Sequence, residues 1–180
     1  MTITLSAHEI DRHAQSIKLL LMDCDGVLTD GRITLIGERD EQKSFHARDG
    51  HGLVLWHRAG LRSGIISGNT SSAVERRARD LEIEFVRQGS LNKSEVYEEV
   101  LKAANVEARE VAYIGDDVTD VPLMRQSGLG IAVADAVKEA RAFAHLTTDA
   151  RGGFGAVREC IEFLLKAQGR WTELMRRYTD

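Results

Sequence analysis

Leu19-Leu20-Leu21-Met22-Asp23-Cys24-Asp25-Gly26-Val27-Leu28-Thr29-Asp30 decides how this chain is read. A short apolar run bounded by glycine predicts a strand buried on both faces, and in an open α/β sheet ligands bind beyond the carboxyl ends of such strands. Alternate strand residues point to opposite faces, so Asp23 and Asp25 share a side and Cys24 turns away. Two unpaired carboxylates there repel unless a cation sits between them. An oxygen-rich cluster of this kind suits Mg²⁺, which keeps several waters and takes one or two carboxylates plus a substrate phosphate. Standing alone, an Asp-x-Asp pair reads equally as a strand-end turn.

Outward from this strand, residues 32–36 and 42–48 are β-rich and flank Gly37-Glu38-Arg39-Asp40, which predicts a protruding β-hairpin over about 32–48. A short helix over 52–59 is ended by Gly60, and a strand over 61–66 leads into Ser67-Gly68-Asn69-Thr70. Ala73, Val74, Arg77, Ala78 and Leu81 fall at helical spacing, predicting a helix from Thr70 or Ser71 to Leu81. The alternation continues with a strand over 83–86, a helix over 93–104, and a strand over 110–114 that ends at Gly115-Asp116-Asp117. Residues 130–133 and 144–147 predict short strands around a helix over 136–142. The tail, about 155–178, is expected to be helical, with Val157, Ile161, Leu164 and Leu165 as its buried face. Alternating strands and helices predict a doubly wound, Rossmann-like parallel sheet with helices on both faces.

A chain of 180 residues without a linker is expected to form one domain, 1–180. Its hydrophobic fraction of 43%, charged fraction of 29% and single proline argue against disorder. A formal net charge of -4 leaves no basic footprint for nucleic acid or a membrane surface. Two cysteines, Cys24 and Cys160, are too few for a disulfide framework, and Asp11, Arg12 and His13 occupy the place of a signal peptide's apolar core. A reducing cytoplasm is the expected location.

Asp23/Asp25, Ser67, Lys93 and Asp116/Asp117/Asp120 all fall at predicted strand ends or a helix start, positions that converge on one crevice in a doubly wound sheet. The inventory is a nucleophilic carboxylate, a second carboxylate, a hydroxyl, a fixed cation and a metal site. Phosphoryl transfer needs that set, because its transition state is stabilised by positioning and by cations around the equatorial oxygens. Taken singly, Ser67 reads as a helix cap, Lys93 as a surface charge and Asp117 as a turn residue. Their joint occurrence reverses that reading. Cys24 reads as a small core residue, and the spacing of His46, His51 and His57 matches no common zinc pattern.

Asp23-Cys24-Asp25-Gly26-Val27, Ser67, Lys93 and Gly115-Asp116-Asp117-Val118-Thr119-Asp120 resemble, in order and spacing, the four motifs of the haloacid dehalogenase superfamily. The resemblance implies that Asp23 becomes an aspartyl phosphate, while Asp25 protonates the leaving oxygen and later activates water. Ser67 and Lys93 would hold the phosphoryl group, with Mg²⁺ on the Asp23 carboxylate, the Asp25 backbone carbonyl and Asp116. Asp120 would support the metal waters or Lys93, and Asp117 would share that role. The intervals from Asp25 to Ser67 and from Ser67 to Lys93 are too short for a cap domain.

A narrower resemblance, covering nearly the whole chain, is to the 3-deoxy-D-manno-octulosonate 8-phosphate phosphatase family. It is carried by residues 23–31, Phe45 with Asp49-Gly50, residues 74–77, Gln88-Gly89, Asn92-Lys93, residues 115–120 with Pro122, and residues 152–159. It implies a capless homotetramer with hairpins packed at its centre, and a tail (Gly152, Gly153, Phe154, Gly155) reaching a neighbour's site. It also implies a sugar acid phosphate substrate from lipopolysaccharide synthesis, met by Gly68, Asn69, Arg77 and Asp49. One departure stands out: the family's Thr-Gly-Arg is Ser67-Gly68-Asn69 here. Asn cannot imitate a bidentate guanidinium, so a nine-carbon nonulosonate 9-phosphate is the alternative substrate. A phospho-receiver signalling domain also combines acids, a hydroxyl and a lysine on a parallel sheet. Its phosphoacceptor stands alone on a later strand, whereas here the acidic pair ends the first.

Overall fold

The structure, a computed structural model, describes residues 5–37 and 40–180. In chain order its elements are α1 (Ala7–Ser16), β1 (Leu19–Met22), β2 (Thr34–Ile36), β3 (Asp40–Gln42), α2 (Ala47–Arg58), β4 (Arg62–Ile66), α3 (Ser72–Asp80), β5 (Phe85–Arg87) and α4 (Lys93–Ala104). They continue as β6 (Val111–Gly115), α5 (Val121–Gln126), β7 (Leu129–Ala132), α6 (Lys138–Phe143), β8 (Leu146–Thr147), α7 (Ala156–Ala167) and α8 (Trp171–Thr179). Six strands form one parallel sheet in the order β5-β4-β1-β6-β7-β8, and β2 pairs antiparallel with β3 as a separate hairpin. The chain leaves β1 towards β4 and β5, then returns to lay β6 on its other flank, which makes β1 the switch point where a doubly wound sheet opens a crevice.

Burial explains β1. Leu19, Leu20, Leu21 and Met22 are all 0% exposed, as a strand covered on both faces requires. Each fully buried side chain of that kind contributes about 1.5–3 kcal/mol. α2 and α7 pack together on the body, and Trp56 of α2 is fully buried with its indole N–H donating to the Arg62 carbonyl at 2.7 Å. Among the described residues, no helix is long and apolar enough to cross a membrane.

Several boundaries differ from the sequence reading, each for a local reason. The hairpin ladder is shorter, with Thr34 facing Gln42, and Phe45 makes only an isolated bridge to Thr29. Glu38 and Arg39 of the predicted turn lie outside the described residues. α2 begins at Ala47 rather than 52, because Asp49 and Gly50 are buried against the body despite their polar sequence. β5 begins at Phe85, not 83. Ile83 is used to close α3, its N–H donating to the Ala78 carbonyl after Glu82 turns left-handed at φ 57. The tail is two helices, broken at Gly169 with φ +69. α1 and α5 are additions to the predicted set.

Candidate active site

β1 delivers Asp23 to the crevice, and the loop after it turns at Gly26, whose φ is +89. A side chain there would be strained, and its Cβ would sit 2.1 Å from Asp116 Oδ2. Glycine therefore lets the loop close onto the acid at the end of β6. Asp23, Asp25, Ser67, Gly68, Asn69, Lys93, Asp116 and Asp117 line one cleft of about 300 Å³. Ser90, Leu91 and Thr119 complete it, and the sequence reading gave none of the three a role. Leu91 is fully exposed at its rim, a leucine that no helical or strand period marked.

Lys93 is the buried cation of this cleft. Its Nζ lies 3.1 Å from Asp23 Oδ1 and 2.8 Å from Asp120 Oδ1. Burial alone pushes its ammonium down, but the two carboxylates outweigh that and hold its pKa above the usual value. Asp120 is fully buried and saturated. Tyr113 Oη donates to Oδ1 at 2.9 Å, and the backbone N–H groups of Asp116 and Asp117 donate to Oδ2 at 3.1 and 3.3 Å. Asp120 thus anchors Lys93 and the turn after β6. Asp117 caps that turn by accepting from the Val118 N–H at 2.7 Å.

Carboxylate oxygens of Asp23, Asp116 and Asp120 lie within 4.8 Å of one another. Asp116 Oδ1 is buried without a hydrogen-bond partner. Burial, then repulsion from Asp23 and Asp120, pushes Asp116 up to about 8. Burial and Asp120 likewise raise Asp23 against the pull of Lys93. An all-oxygen set strained by like charge, with one orphaned acceptor, fits a hard divalent cation such as Mg²⁺. Because Asp120 is committed elsewhere, Asp23 and Asp116 are the side chains available to it.

Asp25 has different company. Asn69 Nδ2 donates to its Oδ2 at 2.9 Å, and Lys43 Nζ donates to its Oδ1 at 2.6 Å. Burial raises its pKa, but these bonds outweigh it and hold the carboxyl below the usual range. Sequence reading missed Lys43, which stands after the hairpin with no local period to mark it. Ser67, at the end of β4, is buried, and its Oγ accepts from the Asn69 N–H at 3.2 Å. Cys24 is buried and its thiol is pushed up, as expected of a core residue.

Three groups named from the sequence pack away from the cleft. Asp49 is 0% exposed, and its carboxylate accepts from the N–H groups of Gly155 and Arg158 at 3.1 and 2.8 Å, capping α7. Arg77 lies outside the cleft, with its guanidinium 5.8 Å from the Phe45 ring and its Nη2 over Gly50. Gly152 and Gly153 pack within their own chain. A Cβ on Gly152 would overlap the Gly26 carbonyl at 1.6 Å, and the Gly153 N–H donates to the Val27 carbonyl at 2.9 Å. The tail lies beneath the catalytic loop.

Comparison with known proteins agrees with this geometry. Residues 66–159 match the family model described as haloacid dehalogenase-like hydrolase. The 3-deoxy-D-manno-octulosonate 8-phosphate phosphatase KdsC of Yersinia pestis is 39% identical over 164 residues, covering 91% of this chain and 88% of that protein. A crystal structure of a probable YrbI family phosphatase from Pseudomonas syringae superposes with TM-score 0.94 at 40% identity, over 97% of this chain and 99% of that one. The Moraxella catarrhalis 3-deoxy-D-manno-octulosonate 8-phosphate phosphatase, solved with magnesium, phosphate and KDO, gives TM-score 0.93 at 38% identity over 96% and 99%. With the acidic pair at the switch point, the lysine across from it and this likeness over nearly the full length, the chain belongs to the haloacid dehalogenase-like hydrolases, within the 3-deoxy-D-manno-octulosonate 8-phosphate phosphatase family.

Proposed function

We propose that this protein is a Mg²⁺-dependent phosphoric monoester hydrolase whose substrate is 3-deoxy-D-manno-octulosonate 8-phosphate. The observation that carries the reading is Asp23, a buried carboxylate at the end of the central strand, 3.1 Å from Lys93 and beside Asp116. Asp23 attacks phosphorus, the bond from phosphorus to the sugar oxygen breaks, and the phosphoryl group passes to the Asp23 carboxylate. Asp25 gives a proton to the departing oxygen. In the second step Asp25 takes a proton from the water that attacks the aspartyl phosphate, which frees phosphate and restores Asp23. Ser67 and Lys93 supply fixed donors to the phosphoryl oxygens. Mg²⁺ held by Asp23, Asp116 and the Asp25 carbonyl would offset the charge of nucleophile and phosphate as they meet. Asp120 positions Lys93, and Asp117 fixes the turn between them.

Lys93 is the one cation among the residues lining the cleft, and two carboxylates already hold it. A sugar acid's own carboxylate therefore finds no free cation there. Asn69, standing in the cleft where the family's arginine is expected, supports a nine-carbon nonulosonate 9-phosphate as the second reading. Measuring kcat/KM for both phosphates with wild type and Asn69→Arg decides between them. The added guanidinium is expected to change the eight-to-nine-carbon ratio about tenfold, and equal ratios in both proteins remove the specificity argument.

Ile33, Leu35 and Ile36 of the hairpin region are 61%, 76% and 52% exposed, an apolar patch that supports a homotetramer packed through its hairpins. Phe154, 54% exposed, is the tail residue free to meet a neighbour. Sedimentation should show Leu35→Asp reduced to smaller species, and an unchanged assembly sinks this reading. Cys24 and Cys160, both buried and unbridged, support a reducing cytoplasm.

A further inference from the structure

Lys43 has no role in the reaction just derived, yet its side chain is 1% exposed. A buried ammonium is costly unless it is closely paired, so its two partners matter. They are Asp25 Oδ1 at 2.6 Å and Glu41 Oε1 at 3.1 Å. Lys43 follows β3 directly, and the backbone bridge between Thr29 and Phe45 ties its segment to the loop that carries Asp25. The far oxygen of Asp25 is met from the opposite side by Asn69, which is exposed, and Thr29 Oγ1 adds a long 3.4 Å contact to the near one. The terminal torsion of a carboxylate is intrinsically broad. Here a buried partner on one oxygen fixes it.

We propose that Lys43 is a positioning residue for the phosphatase reaction: from the base of the hairpin it holds Oδ1 of Asp25, so that Oδ2 faces the cleft to give and then take the proton. Asn69 borders the cleft beside Oδ2 and can swing aside for substrate, whereas Lys43 is enclosed and cannot. The hairpin thereby sets the angle of the acid/base through one ion pair. This inference rests on the phosphatase reading, and it adds a residue to that site.

The test measures kcat and KM on 3-deoxy-D-manno-octulosonate 8-phosphate with Mg²⁺ for wild type, Lys43→Met, Asp25→Asn and the double variant, with melting temperatures alongside. Lys43→Met is expected to lower kcat about a hundredfold while KM stays within about threefold, the cost of a slightly misplaced catalytic group. If Lys43 acts through Asp25, the double variant is slower than Asp25→Asn by no more than about twofold. A purely structural lysine would instead give losses that multiply. A multiplied loss, or a Lys43→Met kcat within about twofold of wild type, overturns the proposal. If Lys43→Met does not fold, Lys43→Met/Glu41→Gln removes the second stranded acid, and the same outcomes are read from it with and without Asp25→Asn. Wild type inactive on every phosphate ester tried would overturn the phosphatase reading itself, and this inference with it.

Discussion

Asp23 and Asp25 stand two residues apart on one loop and face opposite walls of the cleft. Asp23 looks into a buried wall of like charge, where Asp120 and burial raise its pKa and Lys93 pulls it back. Asp25 looks towards the hairpin and the Ser67-Gly68-Asn69 turn, where an amide and an ammonium lower its pKa against a smaller degree of burial. The contrast teaches how one short loop hands two neighbouring carboxylates to different partners: Asp23 to buried acids and a lysine, Asp25 to an amide and a second lysine. The first wall is made for a nucleophile that shares a cation. The second holds both oxygens of one carboxylate with donors.

The contrast breaks most sharply at Asp23. Asp23→Asn is expected to lower kcat on the order of 10⁵-fold, since the amide is a poor nucleophile and a weaker metal ligand. Asp25→Asn removes only proton transfer and is expected to lower kcat about 10²–10⁴-fold, with inhibition by inorganic phosphate largely kept. Steady-state kinetics of the pair checks the division. Equal losses at both positions would show that the walls do not differ in role.

The smallest effect concerns stability. In metal-free protein Asp116→Asn removes one charge from the crowded wall, and Tm is expected to rise by about 2–4 °C, the shift that about 1 kcal/mol gives in a domain of this size. Asp116 has a folded pKa of about 8, above its ordinary value near 3.8. The folded state then binds its proton more readily than the unfolded one, so wild type loses stability as pH rises from about 4 through 8. The advantage of Asp116→Asn should be full above pH 8 and fade as pH falls. Mg²⁺ should stabilise wild type more than the variant. Calorimetry at pH 6 and pH 9, with and without Mg²⁺, reads all three, and a variant advantage independent of pH would break the account of this wall.

The buried wall was legible in the sequence, because each member sits at a strand end or a helix start that a local pattern marks: Asp23 after Leu19–Met22, Lys93 at the first turn of α4, Asp116 after β6. The other wall was only half legible. Lys43 meets Asp25 across 18 positions of chain, and nothing near it announces the partner. The capping role of Asp49 was hidden for the same reason, since the helix end it caps lies 106 and 109 residues away at Gly155 and Arg158. The polar start of α2 hid five helical residues whose place is fixed by tertiary burial. α1 is a different matter. Ser6 and Glu9 form a capping box, a spacing that was open to reading and announces a helix start. α5, six residues beginning beside Pro122, is too short for periodicity to show.

The glycine pair beneath the loop carries a consequence for how the molecule is born. Residues 152 and 153 press directly on residues 26 to 30, so the floor under the acid/base is laid by chain synthesised some 120 positions later. A ribosome that has made the central strand, and even all six strands of the sheet, still displays an unfinished catalyst. Activity should switch on only once residues 152 and 153 have emerged and docked, which ties the onset of turnover to chain made after the whole sheet.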